Sequence, residues 1–94
     1  MDDAYRNKLR FRAWRRGFRE ADLILGPFAD RRVPTMNEAE AATFETLLDQ
    51  FDHDLYGWII GRAPTPPEFD HAIMNEIKQF RYEALSARGD NLGA

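Results

Sequence analysis

Apolar residues recur every three or four positions through most of this chain, and this spacing is the feature that most restricts its fold. The clearest run lies in the C-terminal third, where the apolar positions share one helical face. They are Phe69, Ile73, Ile77, Phe80 and Ala84. Because no stretch alternates between apolar and polar residues for long enough to form a strand, the sequence predicts an all-α fold.

Glycine and capping signals place the first two helices. The first is predicted from about Tyr5 to Arg15, and Gly17 ends it as a C′ residue, because glycine tolerates positive φ. The second is predicted from about Phe18 to Asp30, with a kink or a break at Pro27, which has no N–H to donate. Its predicted apolar face consists of Leu23, Ile24, Leu25 and Phe28.

The third and fourth helices follow a short connector. Two capping-box registers compete for the start of the third helix, one from Thr35 to Glu38 and one from Asn37 to Glu40. This helix should run to about Gln50, and Asp52 should cap a fourth helix that Gly61 stops. Their predicted buried residues are Ala41, Phe44, Leu47, Leu48, Phe51, Leu55, Trp58 and Ile59.

The fifth helix has the strongest start signal, since Thr65-Pro66-Pro67-Glu68 combines an N-cap, Pro at N1 and Glu at N3. It should end near Ala87 to Arg88, with Gly89 as terminator. We therefore predict a compact five-helix bundle as a single domain over residues 1–94, with an ordered core of about residues 5–88 and a mobile tail at 89–94. Its predicted common core contains Leu48, Trp58, Ile73, Ile77 and Phe80.

Charge is distributed unevenly along the sequence. Seven of the 13 Lys and Arg residues lie within the first 19 positions, and the net charge of the whole chain is −3. A concentrated basic segment could bind nucleic acid, with Phe11 and Trp14 stacking on bases. An acidic chain is unlike the strongly basic domains that read nucleic acid, and both aromatics lie where core contacts are needed. An acidic protein partner is therefore the favoured interpretation.

No pattern of an enzyme or of a metal site is present. The chain has no cysteine, no glycine-rich phosphate loop and no apolar run near the roughly 20 residues that span a membrane. Its two histidines, His53 and His71, lie beside predicted helix starts, which is typical of solvated or capping side chains. The acidic residues around His53 lack the glycine turn and terminal Glu of a calcium loop. We expect no catalytic residue, no metal and no stably bound cofactor.

The pentapeptide Arg16-Gly17-Phe18-Arg19-Glu20 lies between the first two predicted helices. On the residues alone, the simplest interpretation is that Gly17 stops one helix, Glu20 caps the next, and the arginines are solvated. A surface for a partner is the competing interpretation. In both cases the pentapeptide is expected outside the core.

Around this pentapeptide the sequence resembles the SdhE family, the small flavinylation or assembly factors of succinate dehydrogenase. The resemblance covers roughly Lys8 to Ile60. It rests on Arg15-Arg16-Gly17-x-x-Glu20-x-Asp22, on Leu23-Ile24-Leu25-Gly26-Pro27-Phe28-Ala29, on Phe44-x-x-Leu47-Leu48, and on Asp52-x-Asp54-Leu55-x-x-Trp58. It implies a five-helix bundle, in agreement with the periodicity.

The resemblance also implies a function that is not enzymatic. The protein would bind the flavoprotein subunit of succinate dehydrogenase, or of fumarate reductase, and promote covalent attachment of FAD, which is the partner's cofactor. The family motif falls on Arg16, Gly17 and Glu20, with Arg15 and Arg19 flanking it. The implied protein is a monomer of the bacterial cytoplasm, or of the mitochondrial matrix in a eukaryote. The alternative is a small antitoxin-like regulatory or nucleic-acid-binding protein that uses the Arg-rich first helix.

Overall fold

The chain forms five α-helices in a computed structural model that describes the backbone of residues 2–93 and the side chains of residues 2–85. The helices are α1 (Asp3–Trp14), α2 (Arg19–Arg32), α3 (Glu38–Leu48), α4 (Asp52–Ile60) and α5 (Ala72–Gly93). Short 3₁₀ turns at Val33–Thr35 and Pro67–Phe69 precede α3 and α5. No strand occurs in the described part of the chain, so the predicted all-α, five-helix fold is confirmed.

Local signals explain most of the helix ends. The Asn37 side chain accepts from the Glu40 N–H at 2.8 Å, and the Glu40 carboxylate accepts from the Asn37 N–H at 3.0 Å. The second of the two capping-box registers is therefore the one used. The hydrogen bond from the Asn37 N–H is the largest cause of a lowered pKa of the Glu40 carboxyl. A hydrogen bond from the Arg32 guanidinium is the second. At the end of α4, Gly61 has φ +80°, as predicted for a terminating glycine.

The α2 helix passes through Pro27 without the break that the sequence allowed. A proline at this position leaves the carbonyl of Leu23 without its helical donor. Leu23 lies on the exposed face of α2, where water can satisfy that oxygen. The exposure of Leu23 corrects its predicted place in the core. It stands two residues from both Ala21 and Leu25, which are buried, so it points away from the face that they share.

The start of α5 differs from the prediction. The Thr65 hydroxyl does not cap a helix but accepts from the Lys78 ammonium at 2.7 Å, and the helix begins only at Ala72. There the His71 Nδ1 accepts from the Met74 N–H at 3.2 Å, which is the expected capping role of this histidine. The prediction that this helix ends near Ala87 to Arg88, with Gly89 as terminator, is wrong, because α5 continues to Gly93. A glycine inside a helix costs only about 0.5–1 kcal/mol, so it does not have to end one. The mobility of residues 89–94 stays a prediction, since the structure describes side chains only as far as residue 85.

Each of the five helices contributes one apolar face to a common core. Leu48, Ile73 and Ile77 are buried as predicted, while Trp58 and Phe80 are half-buried and pack against the core. Two predictions were wrong, because Phe51 is exposed and Ala84 lies on the surface. Phe51 leaves the core because α3 ends at Leu48 instead of Gln50. The other buried apolar residues are Leu9, Ala13, Ala21, Leu25, Phe28, Ala29, Val33, Met36, Ala41, Phe44, Leu47, Leu55, Ile59 and Met74.

Replacement of Ile77 by Ala tests this core. Ile77 is fully buried on α5, so the substitution should lower the free energy of unfolding by about 2–5 kcal/mol through lost burial and the cavity left behind. Urea denaturation followed by circular dichroism measures this loss. The matched control is Asn75→Ala on the exposed side of the same helix, expected within about 0.5 kcal/mol of wild type. Equal losses for the two variants would contradict the assignment of Ile77 to the core.

Candidate partner-binding site

The segment Arg16–Glu20, called here the motif segment, forms the connection from α1 to α2 and the first residues of α2. Arg15 is the C-cap residue of α1, so Gly17 lies two residues beyond the cap and not at C′. Its φ of +86° is the positive value predicted for it, and here it turns the chain towards α2. The Asp22 carboxylate accepts from the Arg16 N–H at 3.0 Å, which fixes the turn against the start of α2.

Arg16 is buried, contrary to the expectation of a solvated side chain. Only 7% of its side chain is exposed. Its Nε donates to the Asp52 carboxylate at 2.7 Å, while its two terminal nitrogens donate to the Leu48 carbonyl at 2.7 Å and the Gln50 carbonyl at 2.5 Å. The guanidinium therefore joins the motif segment to the end of α3 and the start of α4.

Asp52 has a different role from the predicted one. It is the first residue of α4, and the N-cap position belongs to Phe51, which makes no capping side-chain bond. The carboxylate still lies at the positive end of the α4 dipole, where a negative charge is favourable. The same carboxylate accepts a hydrogen bond from Arg16, so it interacts with both the start of α4 and the motif segment.

Apart from Phe18, the rest of the motif segment is open to solvent. Gly17, Arg19 and Glu20 are exposed, and a Cβ at Gly17 would meet nothing within 4 Å. Neither Arg19 nor Glu20 has a hydrogen bond or an ion pair within the described part of the chain. With Phe18, Asp52 and His53, these residues line a cleft of about 340 Å³, called here the motif cleft.

Phe18 and His53 also line this cleft, although no partner-binding role was predicted for either. The Phe18 ring contacts the His53 ring at 5.1 Å between centroids and the Tyr56 ring at 4.9 Å. Phe18 is thus packed on α4, and this contact attaches the motif segment to α4 at a second residue besides Arg16. Its side chain makes an intramolecular contact that sequence spacing does not reveal, since its partners lie more than 30 residues away.

Most of the basic side chains near the N-terminus are used inside the fold. Arg10 pairs with Asp30 at 3.2 Å, Arg12 pairs with Asp49 at 2.8 Å, and Arg6 donates to a backbone carbonyl. Arg16 is bound as described above. Among the described residues, this leaves Lys8, Arg15 and Arg19 as the basic groups of this segment without a hydrogen bond or an ion pair.

The aromatic side chains of α1 are more exposed than predicted. Phe11 is 60% exposed and Trp14 is 39% exposed. Trp14 nevertheless packs on Gly26 of α2, where a Cβ would lie 2.3 Å from the indole, and its Nε1 donates to Asp30 at 3.0 Å. The Arg15 guanidinium lies over the Phe11 ring at 4.7 Å. Burial therefore does not remove Phe11 as a platform for base stacking, and the argument against nucleic acid depends on charge.

The acidic residues around His53 are not arranged around a common point. Asp49 is bound by Arg12 and Asp52 by Arg16, and no group of three His, Cys, Asp or Glu residues suited to a metal ion occurs among the described residues. Within the same residues, no helix is long and apolar enough to cross a membrane.

Comparisons with a family model and with individual proteins identify the same family for this chain. Residues 7–81 match the family described as flavinator of succinate dehydrogenase. The chain is 33% identical over 73 residues to succinate dehydrogenase assembly factor 2, mitochondrial, of Dictyostelium discoideum, covering 78% of this chain and 52% of that protein. It is 38% identical over 65 residues to the FAD assembly factor SdhE of Acetobacter pasteurianus, covering 69% and 60%. The chain therefore spans between half and three fifths of these curated relatives.

Proposed function

Because this chain belongs to the family of flavinators of succinate dehydrogenase, we propose that it binds the flavoprotein subunit of that enzyme, here the client, and promotes its covalent flavinylation. The proposal includes the flavoprotein subunit of fumarate reductase as a client of the same kind. The observation that carries the proposal is the motif segment, which is open on its outer side and fixed on its inner side. The names of the bacterial and mitochondrial relatives support the same role.

The geometry divides the motif residues into two roles. Arg16 is a positioning residue, because its bonds to Asp52 and to two carbonyls hold the segment before the client arrives. Gly17 lets the client backbone approach closely, since no side chain fills the space in front of it. Arg19 and Glu20 offer opposite charges that can bind the client. A preformed segment reduces the entropy lost on binding.

FAD belongs to the client in this proposal. The attachment chemistry is that of the client, and this chain contributes binding energy without a catalytic group or a cofactor of its own. We place it wherever the client is assembled, the cytoplasm of a bacterium or the matrix of a mitochondrion. It acts as a monomer that associates with one client subunit.

The antitoxin-like alternative has weaker support. Four of the seven basic side chains in the first 19 residues are engaged within the fold, so the charge available to phosphates is small. Exposure of Phe11 is the observation in its favour. A gel-shift titration with duplex and single-stranded DNA, in which tight binding at 150 mM salt would be required, separates this alternative from the client proposal.

Replacement of Glu20 by Ala tests the motif cleft. Glu20 is exposed and unpaired among the described residues, so the melting temperature should stay close to that of wild type, within about 0.5 kcal/mol of stability. Flavinylation of the client should fall, because a charge that faces the client is lost. In-gel flavin fluorescence of the client measures this. Glu68→Ala, an exposed acid before α5, is the matched control and should keep full flavinylation. Normal flavinylation with Glu20→Ala would remove Glu20 from the interface.

A further inference from the structure

A second opening lies beside the motif cleft, on the α1 side of Arg16. It is a groove of about 270 Å³, called here the side groove, and it is lined by Phe11, Arg12, Arg15, Arg16, Leu48 and Asp52. Asp52 lines both openings, and the side chain of Arg16 joins the motif segment to the α3–α4 junction between them. The two openings are therefore adjacent parts of one surface.

Phe51 directly precedes Asp52, which lines the side groove. It lies between Gln50, whose carbonyl accepts from Arg16, and Asp52, whose carboxylate accepts from the same guanidinium. These two bonds hold the backbone before Phe51 and the side chain of the residue after it. Phe51 is 82% exposed, the highest exposure of any large hydrophobic residue among those described. Its aromatic ring thus lies in solvent next to residues that the Arg16 guanidinium holds in place.

The fold does not account for the exposed rings. Phe51 occupies the N-cap position of α4 without a side-chain capping bond, where Ser, Thr, Asp or Asn would stabilise the helix better. Phe11 is 60% exposed on α1, and the guanidinium of Arg15 lies over its ring. Single exposed apolar residues are common, but here Phe11 and Arg15 line one groove and a second exposed phenyl ring directly precedes another residue that lines it.

We propose that Phe11, Arg15 and Phe51 form a second contact region for the client, next to the motif segment, that receives an apolar and acidic stretch of the flavoprotein subunit. This inference rests on the proposed function and adds to it the chemistry of the client surface. Exposed aromatic and arginine side chains are the types that contribute most to protein interfaces. The ring of Phe11 beneath the Arg15 guanidinium offers an apolar face and a positive charge together.

The positive charge of this region favours an acidic client over a second copy of this chain. Arg15 lines the side groove and Arg19 lines the motif cleft, and both guanidiniums, like the Lys8 ammonium on α1, remain unpaired among the described residues. Two copies of this chain placed face to face would bring these positive groups together, which disfavours self-association. An acidic surface of the client is complementary to them, and it would be attracted over the length at which salt screens charge, about 8 Å at physiological ionic strength.

The test is calorimetric titration of wild type and variants into the isolated flavoprotein subunit. Phe11→Ala and Phe51→Ala should each weaken binding about tenfold, and the double variant about a hundredfold, as for truncated interface anchors at separate sites. The control is Tyr82→Ala on α5, a comparably exposed aromatic residue, which should bind like wild type. Arg15→Gln should weaken binding and reduce its dependence on salt, unlike Arg31→Gln, whose guanidinium also lies near a phenyl ring. All melting temperatures should be unchanged.

The outcomes separate this inference from the function on which it rests. If Gly17→Arg loses client binding while Phe11→Ala and Phe51→Ala bind like wild type, the contact region is wrong and the proposed function stands. If wild type does not bind the flavoprotein subunit, both are overturned. Sedimentation showing a wild-type dimer that the double variant abolishes would overturn the client as occupant and identify a second copy instead.

Discussion

Replacement of Arg16 by Ala is expected to lower the free energy of unfolding by about 2–4 kcal/mol, although the residue belongs to a motif proposed to bind a partner. The loss arises because the Leu48 and Gln50 carbonyls and the Asp52 carboxylate all lose a charged donor. In a domain of this size it corresponds to a fall in melting temperature of roughly 10–20 °C. Differential scanning calorimetry and urea denaturation measure the two quantities. Client binding should fall with it, because the motif segment loses its inner support.

Two variants separate this effect from a simple loss of positive charge. Arg15→Ala removes the neighbouring guanidinium, which is exposed and lies over Phe11, and should change stability by no more than about 0.5 kcal/mol. Arg16→Lys keeps the charge but not the planar fork that reaches three oxygens, so it should recover only part of the lost stability. An Arg16→Ala variant as stable as wild type would show that the three bonds contribute nothing. Arg16 would then be available as a contact residue for the client.

Replacement of Gly17 by Arg is expected to abolish client binding, a loss of at least about a hundredfold in affinity, while the chain remains folded. A side chain at this position meets nothing in the free protein, so the clash exists only in the complex. The substitution still costs stability, because φ of +86° is unfavourable for any residue with a Cβ. That cost is about 1 kcal/mol. Calorimetric titration with the flavoprotein subunit measures the binding, and thermal denaturation measures the strain.

The chain contains a matched control for this experiment. Gly61, the C-cap of α4, has φ of +80°, and a Cβ there also meets nothing within 4 Å. Gly61→Arg should therefore lose about as much stability as Gly17→Arg, about 1 kcal/mol, and should bind the client normally. Gly17→Ala should show the same strain with only mild loss of binding. If the two arginine variants lose binding equally, strain explains the defect and Gly17 is only a turn residue.

Local sequence signals predicted the fold well where a single segment decides the outcome. The positive φ of Gly17 and Gly61, the Asn37 capping box and the buried face of α3 depend on residues a few positions apart. The start of α5 shows the limit of such signals. A threonine, two prolines and a glutamate match a helix start, but Lys78 recruits the Thr65 hydroxyl across a turn and His71 takes the capping position.

The candidate site was predicted in location but not in its internal arrangement. The role of Arg16 depends on how the connection between α1 and α2 meets the α3–α4 junction, and its acceptors lie 32 to 36 residues away. Helical periodicity places a residue on a face of its own helix and says nothing about which distant carbonyl that face meets. The same reason explains Trp14, whose partner Gly26 is identified only by the packing of α1 on α2.

The three oxygens that accept from Arg16 respond differently to amino-acid substitution. Two of them are backbone carbonyls, which every amino acid supplies. A substitution at Gln50 therefore leaves its oxygen in place. The same holds at Leu48, where the side chain is restricted by its packing in the core. The third belongs to the side chain of Asp52, and substitution there removes it. Asp52 is thus the only one of the three acceptor residues whose replacement by another amino acid directly removes a hydrogen bond from Arg16.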